Sequence, residues 1–317
     1  MIDLIKECSA AQNIGISGHI RPDGDCIGST LSLCLYLRKV FPEKRVDLFL
    51  EPYAEAFQDV EGIDAIDHSF QGADHYDVYF CVDCGKDRLG DAEALFDAAE
   101  KTINIDHHIS NKNGCGDVNY VEPEASSASE LVFDLLDPGY IDAKIAAAIY
   151  MGIVHDTGIF QYSSTSPKTM RIAAQLMEYG FDFSQLIDKT FNEKTYHQDQ
   201  IMGRALLESI LFMDGRCIFS AIDHKTMEFY DVCGKDMEGI VSRLRETKGV
   251  ECAIFMYEYE PLTYKVSLRS CGKVDVAKVA AIFGGGGHVR AAGCTINGTV
   301  HDVINNLSVH IEKQLEG

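Results

Sequence analysis

The segment Thr102-Ile103-Asn104-Ile105-Asp106-His107-His108 runs a short strand straight into three ionisable side chains. Ile103 and Ile105 alternate on one face, as in a strand with one buried side. Asp106, His107 and His108 then follow in a row. At the end of an apolar strand such groups must be solvated, paired or put to chemical use, because burying them alone costs stability. Imidazole is the commonest side-chain metal ligand, and a neighbouring carboxylate usually orients it. A solvated strand end is the alternative, and the flanking sequence has to separate the two.

Working outward, the same arrangement recurs. Asn13 to Gly18 reads as a strand that runs into His19-Ile20-Arg21-Pro22-Asp23-Gly24-Asp25, a loop by virtue of Pro22 and Gly24. A helix is predicted from Cys26 to Val40. Here Asp25 can serve as a helix cap and Asp23 as a turn residue, or both carboxylates can serve a site together with His19. Arg45 to Leu50 is a second strand. Tyr76 to Val82 is a third, nearly continuous in apolar residues and so suited to the middle of a parallel sheet, and it ends at Asp83 before Cys84-Gly85. A helix over Asp91 to Ala99 precedes the Thr102 strand. Helices are predicted over Ser126 to Leu136 and Asp142 to Val154, the second running into His155-Asp156-Thr157-Gly158. His155 reads as a structural residue at a helix end, where a cation complements the dipole.

Strands alternating with helices predict an α/β fold. The N-terminal domain is expected to be doubly wound around a mainly parallel sheet, covering residues 1–190. Helix follows helix from Pro167 to about Glu208, with a helical linker at 191–206. A smaller C-terminal α/β domain fills 207–317. It opens on a hairpin signal, Met213-Asp214-Gly215 between two apolar runs. Strands over Val250–Tyr259 and Thr263–Arg269 and a helix over Asp275–Phe283 lead into Gly284-Gly285-Gly286-Gly287-His288-Val289-Arg290.

Of the 317 residues, 46% are hydrophobic and 24% charged, ordinary values for a globular protein. No apolar run approaches the roughly 20 residues that span a bilayer. The N-terminus, Met1 to Cys8, is acidic where a signal peptide would be basic. Eleven cysteines scattered through a chain of this size read as mostly reduced thiols in a cytoplasm. The net charge of −21 argues against holding long duplex nucleic acid on a broad basic surface. A small phosphorylated substrate remains compatible if metals or a local basic patch reverse the field. Such a patch exists: between Pro261 and Gly298 five Lys or Arg stand against one acidic residue, Asp275. Four consecutive glycines within it can bring backbone N–H groups close to an anion.

Six residues thus stand at element ends before tight turns: His19, Asp23, Asp25, Asp83, His107 and Asp156. In a doubly wound sheet such ends converge on one edge. Four carboxylates and two imidazoles in one cleft would repel each other unless cations sat among them. Carboxylate-rich ligands suit Mn2+ or Mg2+, and a pair of ions could bind both an attacking water and a phosphoryl oxygen. That chemistry is hydrolysis of a phosphate ester or anhydride.

The blocks GHIRPDGDCIGS (18–29), VDCG (82–85), DHH (106–108) and HDTGIFQYSSTSP (155–167) resemble the four motifs of the DHH phosphoesterase family, and GGGGHVRAAG (284–293) resembles the substrate motif of its DHHA1 domain. The resemblance spans nearly the whole chain and is strongest to the stand-alone bacterial members that act as nanoRNases and pAp phosphatases. It implies two Mn2+ ions, with Mg2+ as an alternative. His19 and Asp23 would hold one, Asp25, His107 and Asp156 the other, and Asp83 both. It further implies that His108 contacts the scissile phosphate, that Asp106 orients a neighbouring imidazole, and that Arg269, Gly285, Gly286, Gly287, His288 and Arg290 bind the substrate. Gln161 stands where many relatives carry Arg. The expected substrates are short RNA oligonucleotides, cut from the 5′ end to mononucleotides, and pAp. A soluble pApA or cyclic di-AMP phosphodiesterase is the main rival, and a non-catalytic nucleotide sensor would be expected to have lost a ligand. No membrane partner is expected, and a homodimer is compatible with the sequence.

Overall fold

A computed structural model describes residues 2–316, which divide into two compact units at Glu193/Lys194. The first unit begins with α1 (Leu4–Cys8) and is built on six parallel strands. These are β1 (Asn13–Ser17), β2 (Arg45–Phe49), β3 (Ile66–Asp67), β4 (Val78–Val82), β5 (Thr102–Asp106) and β6 (Val118–Val121), in the order β3-β2-β1-β4-β5-β6. The chain moves outward from β1 in one direction, then returns to β1's other side and moves outward again. The order therefore reverses between β1 and β4, and the carboxyl ends of strands beside such a switch point form the ligand crevice of an open α/β sheet. His19 follows β1, Asp83 follows β4, and His107 follows the adjacent β5.

β4 is buried at every position, as its unbroken apolar run requires. Helices α2 (Gly24–Val40), α3 (Glu93–Ala98), α4 (Ala128–Leu135), α5 (Ala143–Asp156), α6 (Pro167–Met177) and α7 (Phe183–Ile187) complete the unit. Leu31 and Leu37 of α2, Ile149 and Ile153 of α5, and Ile14 and Phe80 of the sheet share one core. The helix over 91–99 is shorter than its pattern suggested, starting with a 3-10 turn at Gly90–Ala92. β3 and β6 carry no alternation that marks them in sequence.

The second unit begins within the segment expected as a linker. Residues 191–206 include most of α8 (Tyr196–Leu207), whose Ile201 and Ala205 are buried with Ile218, Leu244 and Phe255. A mixed sheet follows, in the order β11-β12-β10-β9-β8-β7. Its strands are β7 (Ile210–Phe212), β8 (Cys217–Ile222), β9 (Cys252–Glu260), β10 (Thr263–Ser270), β11 (Gly286–His288) and β12 (Ala291–Asn297), antiparallel throughout except for β8 and β9. The β7–β8 hairpin turns through Met213, Asp214 and Gly215, all with positive φ. α9 (His224–Tyr230), α10 (Ile240–Arg245), α11 (Val276–Ile282) and α12 (Val300–Glu316) pack with this sheet. A 3-10 turn at Gly234–Met237 precedes α10, which starts after Gly239. Among the described residues no helix is long and apolar enough to cross a membrane.

Candidate metal centre and active site

The loop after β1 delivers three of the expected groups. Asp23, in extended backbone, is the N-cap of α2, and its Oδ1 accepts from the N–H groups of Asp25 and Cys26 at 3.1 Å. Asp25 is thereby one residue inside the helix and not the cap. Its buried carboxylate instead crosses to the N-terminus of α4, accepting from Ala128 N–H at 2.7 Å and Ser129 N–H at 2.9 Å. A helix N-terminus is a favourable seat for a negative charge. His19 is buried, and its Nδ1–H donates to the Ile20 carbonyl at 2.8 Å. That bond leaves Nε2 as the basic nitrogen, 3.4 Å from Asp83 Oδ2 and 3.7 Å from Asp23 Oδ1.

Asp83 is the pivot. It adopts φ +62, a left-handed conformation that Asp tolerates better than bulkier residues, and its N–H is tied to the Ile105 carbonyl at 2.8 Å. One carboxylate oxygen faces His19. The other, Oδ1, lies 3.5 Å from His107 Nε2 and 3.7 Å from His108 Nδ1, yet it is buried without a hydrogen-bond partner. His107 Nε2 is also 3.1 Å from Asp156 Oδ2 and 3.8 Å from Asp25 Oδ2. All six expected residues therefore come together. Donor atoms of His19, Cys26 and Asp83 lie within 4.8 Å of one another, as do those of Asp25, His107 and Asp156.

Electrostatics show how this cluster holds its charge. Burial pushes the imidazoles down, but the surrounding carboxylates outweigh it. His107 is raised to about 12 by Asp156, Asp83 and Asp25, and His19 also rises well above the usual imidazole range under Cys26, Asp23 and Asp83. Burial would raise Asp83, and the two imidazoles more than reverse it, leaving its carboxyl well below the ordinary range. Asp25 and Asp156 are raised by burial and by Asp83. Protonated imidazoles stand where cations belong. A buried carboxylate oxygen with no donor, between two sets of N and O donors, fits divalent metal ions. Burial raises the Cys26 thiol to about 12, so the oxygen and imidazole donors dominate the set.

Asp106 faces away from these sets. Wholly buried, its Oδ1 accepts from the N–H groups of His107 and His108 and from His108 Nδ1–H at 2.7 Å, and its Oδ2 accepts from Asn111 Nδ2–H at 2.7 Å. It fixes the His108 ring and raises that imidazole's pKa. Asn111 and Asn104 escaped the sequence reading. Asn104 Nδ2 donates to the carbonyls of Cys81 and Cys84, both at 2.9 Å, so it clamps the turn that presents Asp83. No sequence signal marked Asn104, since a polar residue between Ile103 and Ile105 reads equally as the solvent face of the strand. His155 sits at the end of α5 between the rings of Phe57 and Phe191, 5.2 Å from each. Gln161 is exposed, its N–H bonded to the Thr157 carbonyl.

The expected substrate groups of the second unit lie along one corner of its sheet. Ala291 pairs with Arg269 on one side and His288 on the other, so these three side chains share a face, with the small one in the middle. The glycine run is held by backbone hydrogen bonds and strand pairing. The N–H groups of Gly284 and Gly285 cap α11 through the Ala281 and Ala280 carbonyls, while Gly286 and Gly287 belong to the edge strand β11. At Gly287 (φ +144) a Cβ would lie 2.4 Å from the Ala291 carbonyl oxygen, which explains a glycine there. Arg290 is exposed at the β11–β12 turn.

The DHH family, N-terminal domain, matches residues 13–153, just short of Asp156, and the DHHA1 domain matches residues 217–317. The chain is 29% identical to the bifunctional oligoribonuclease and PAP phosphatase NrnA of Bacillus subtilis (strain 168), over 93% of this chain and 92% of the relative. It is 30% identical to the protein of the same description from Thermus thermophilus, over 90% and 84%. A crystal structure of an exopolyphosphatase-related protein from Bacteroides fragilis superposes with a TM-score of 0.87 at 28% identity, covering 97% of this chain and 94% of that one. The protein is thus a hydrolytic phosphoesterase. It belongs to the DHH family, with a DHHA1 domain following the DHH domain.

Proposed function

We propose that the protein is a manganese-dependent phosphoesterase that hydrolyses short 5′-phosphorylated oligoribonucleotides to mononucleotides and also dephosphorylates pAp. The observation that carries this reading is Asp83, a shared carboxylate with a buried, partnerless oxygen between two donor sets. The NrnA relatives, described as oligoribonucleases and PAP phosphatases, support the substrate assignment.

His19 and Asp23 would hold one ion, Asp25, His107 and Asp156 the other, and Asp83 both. Two bound Mn2+, or Mg2+, would supply Lewis acidity and a water of lowered pKa. The chain's own residues do the rest. Asp106 holds His108 protonated at Nδ1, and its effect on the ring favours the imidazolium, so His108 can donate to a non-bridging oxygen of the scissile phosphate. Asn104 and Asn111 keep the Asp83 turn and Asp106 in place. Arg269, Gly285, Gly286, Gly287, His288 and Arg290 would bind the far phosphate or sugar of the substrate.

The test is a rate comparison on pAp, 5′-phosphorylated di- to pentaribonucleotides and pApA, with Mn2+ and after exhaustive chelation. Turnover of pAp and short RNA that EDTA abolishes and Mn2+ restores is the expected result. Full activity after chelation would overturn the two-metal reading, and turnover confined to pApA would move the assignment to the dinucleotide phosphodiesterase.

A further inference from the structure

His155 takes no part in the chemistry above, but its ring rests on the residue between two of the expected metal ligands. Gly24, the first residue of α2, separates Asp23 from Asp25, whose carboxylates face different imidazoles, His19 and His107. A Cβ on Gly24 would lie 2.1 Å from His155 Cγ and 2.5 Å from its Nδ1, so the imidazole lies directly against the backbone. Gly24 has ordinary helical backbone, a conformation open to any residue. The ring, and not the dihedral angles, is what excludes a side chain there.

The ring has little freedom of its own. Its centroid is 5.2 Å from that of Phe57 and 5.2 Å from that of Phe191. Phe57 closes the 3-10 turn Glu55–Phe57, and Phe191 lies in a π-helical turn, Asp188–Asn192, an irregularity frequent at functional sites. Thr190 of the same turn donates its one hydroxyl proton to the Leu186 carbonyl at 2.8 Å. Its oxygen therefore accepts from His155 Nε2–H at 3.2 Å. A protonated Nε2 has no lone pair for a metal ion, so this nitrogen anchors the ring and does not ligate. Asp156, the next residue, belongs to the donor set of Asp25 and His107.

We propose that His155 is a positioning residue for the metal centre: its ring, clamped by Phe57, Phe191 and Thr190, braces Gly24 and so sets Asp23 and Asp25 relative to Asp156. The inference rests on the metal-dependent reading of the site. The bracing is steric and uses the ring's shape. Without the ring, a glycine with no side chain of its own would border an empty space, and its backbone would be the part free to move. Asp23 would still cap α2 and Asp25 would still accept from Ala128 and Ser129 N–H, so the chain keeps its fold. What is lost is the fixed separation of the two carboxylates.

The experiment measures Mn2+ affinity by calorimetry, together with Tm, for full-chain His155→Ala, His155→Gln, His155→Phe, Gly24→Ala and the Gly24→Ala/His155→Ala double variant. Val46→Ala, near the amino end of β2, is the control for a loss of core packing alone. His155→Ala and His155→Gln should weaken Mn2+ binding by about tenfold or more, the usual effect of removing a group that holds a ligand. His155→Phe, which keeps a ring and gives up the Thr190 bond, should stay near the parent. Gly24→Ala should weaken binding to a similar extent, and adding His155→Ala should recover part of that loss, because the methyl group then has room. Val46→Ala should lower Tm and leave the affinity unchanged. The inference is overturned if the parent binds Mn2+ and His155→Ala binds it equally well. It is also overturned if His155→Phe fails as badly as His155→Ala, if the Gly24 and His155 losses simply add, or if Val46→Ala loses as much affinity. A parent that binds no Mn2+ would instead overturn the metal reading beneath it.

Discussion

Asp83 is asked to do two things that few residues combine. It must adopt left-handed backbone at φ +62 and present both carboxylate oxygens to imidazoles on opposite sides. Asn can take the same backbone but offers one neutral acceptor oxygen where two charged ones are needed, so Asp83→Asn is a cleaner probe than Ala. Its Mn2+ affinity should fall by about 100-fold or more and turnover should approach background, while circular dichroism stays near that of the parent. Near-parental affinity in calorimetry would refute the shared-ligand role. The imidazoles make a second prediction. A group raised on folding adds its full stability below its unfolded value and loses it as pH climbs to the folded value. For His107 that window opens at 6.5 and closes at about 12. Raised Asp25 and Asp156 act in the same direction, and the stability from the lowered Asp83 is fully present above its ordinary 3.8 and is lost only as pH falls below it. The metal-free protein should therefore lose thermal stability from pH 6.5 upward, and the Mn2+-loaded protein should not, since the ions replace the displaced protons. The gap in Tm between the two should widen toward roughly pH 9, and a constant or shrinking gap would defeat the account. At this scale the ionisable residues were legible because each interrupts an apolar pattern. Which of Asp23 and Asp25 caps the helix was not, since either spacing satisfies a free N–H. The Asn104–Asn111 clamp was not legible either, because a polar residue in a strand announces burial only once its neighbours are known.

At the scale of elements, the site depends on helices that pack closer than side chains allow. α2 and α5 meet at Gly28 and Gly152, where a Cβ on Gly28 would lie 2.4 Å from the Ala148 carbonyl oxygen. A Cβ on Gly152 would lie 1.9 Å from Ser129 Oγ and 2.8 Å from Asp25 Oδ1, at the junction where α4's N-terminus holds Asp25. Gly152→Ala should thus cost about 1–3 kcal/mol by overpacking and weaken Mn2+ binding through Asp25. Gly203, inside α8 with open space around it, is the control: Gly203→Ala should stabilise by about 0.5–1 kcal/mol and leave Mn2+ binding unchanged. Urea melts and metal titrations of both variants decide it, and a Gly152→Ala protein as stable and as tight-binding as the parent would refute the packing argument. Long periodic elements such as α2, α5 and β4 could be read directly from their hydrophobic spacing. β6 and β11 could not, for opposite reasons. Every residue of β6 is part-exposed or exposed, so no buried alternation marks it, and β11 is built largely of glycine, whose strand pairing comes from the neighbouring β12.

For the molecule as a whole, alternation of strands and helices made the fold class legible, but not the strand order, because the pairing of β1 with β4 joins segments about sixty residues apart and leaves no local pattern. Charge is the one global property that the sequence states outright, and it bears on substrate length. The net charge is −21, and the basic excess of five Lys or Arg to one acidic residue is confined to 261–298. On the proposed function, a short substrate brings its reacting phosphate to the metals and few further charges with it. Each further nucleotide meets a protein of its own sign, adding repulsion in place of contact. On a ladder of 5′-phosphorylated RNAs, kcat/KM should therefore fall beyond about five nucleotides, the length that one small-molecule-sized site can accommodate. Because the penalty on longer chains is a screened repulsion, added salt should narrow the difference between pentamers and twenty-mers, with a Debye length of about 8 Å at physiological ionic strength. A rate that stays flat or rises out to twenty-mers, or a length dependence that salt does not change, would count against electrostatic exclusion and favour a general exonuclease.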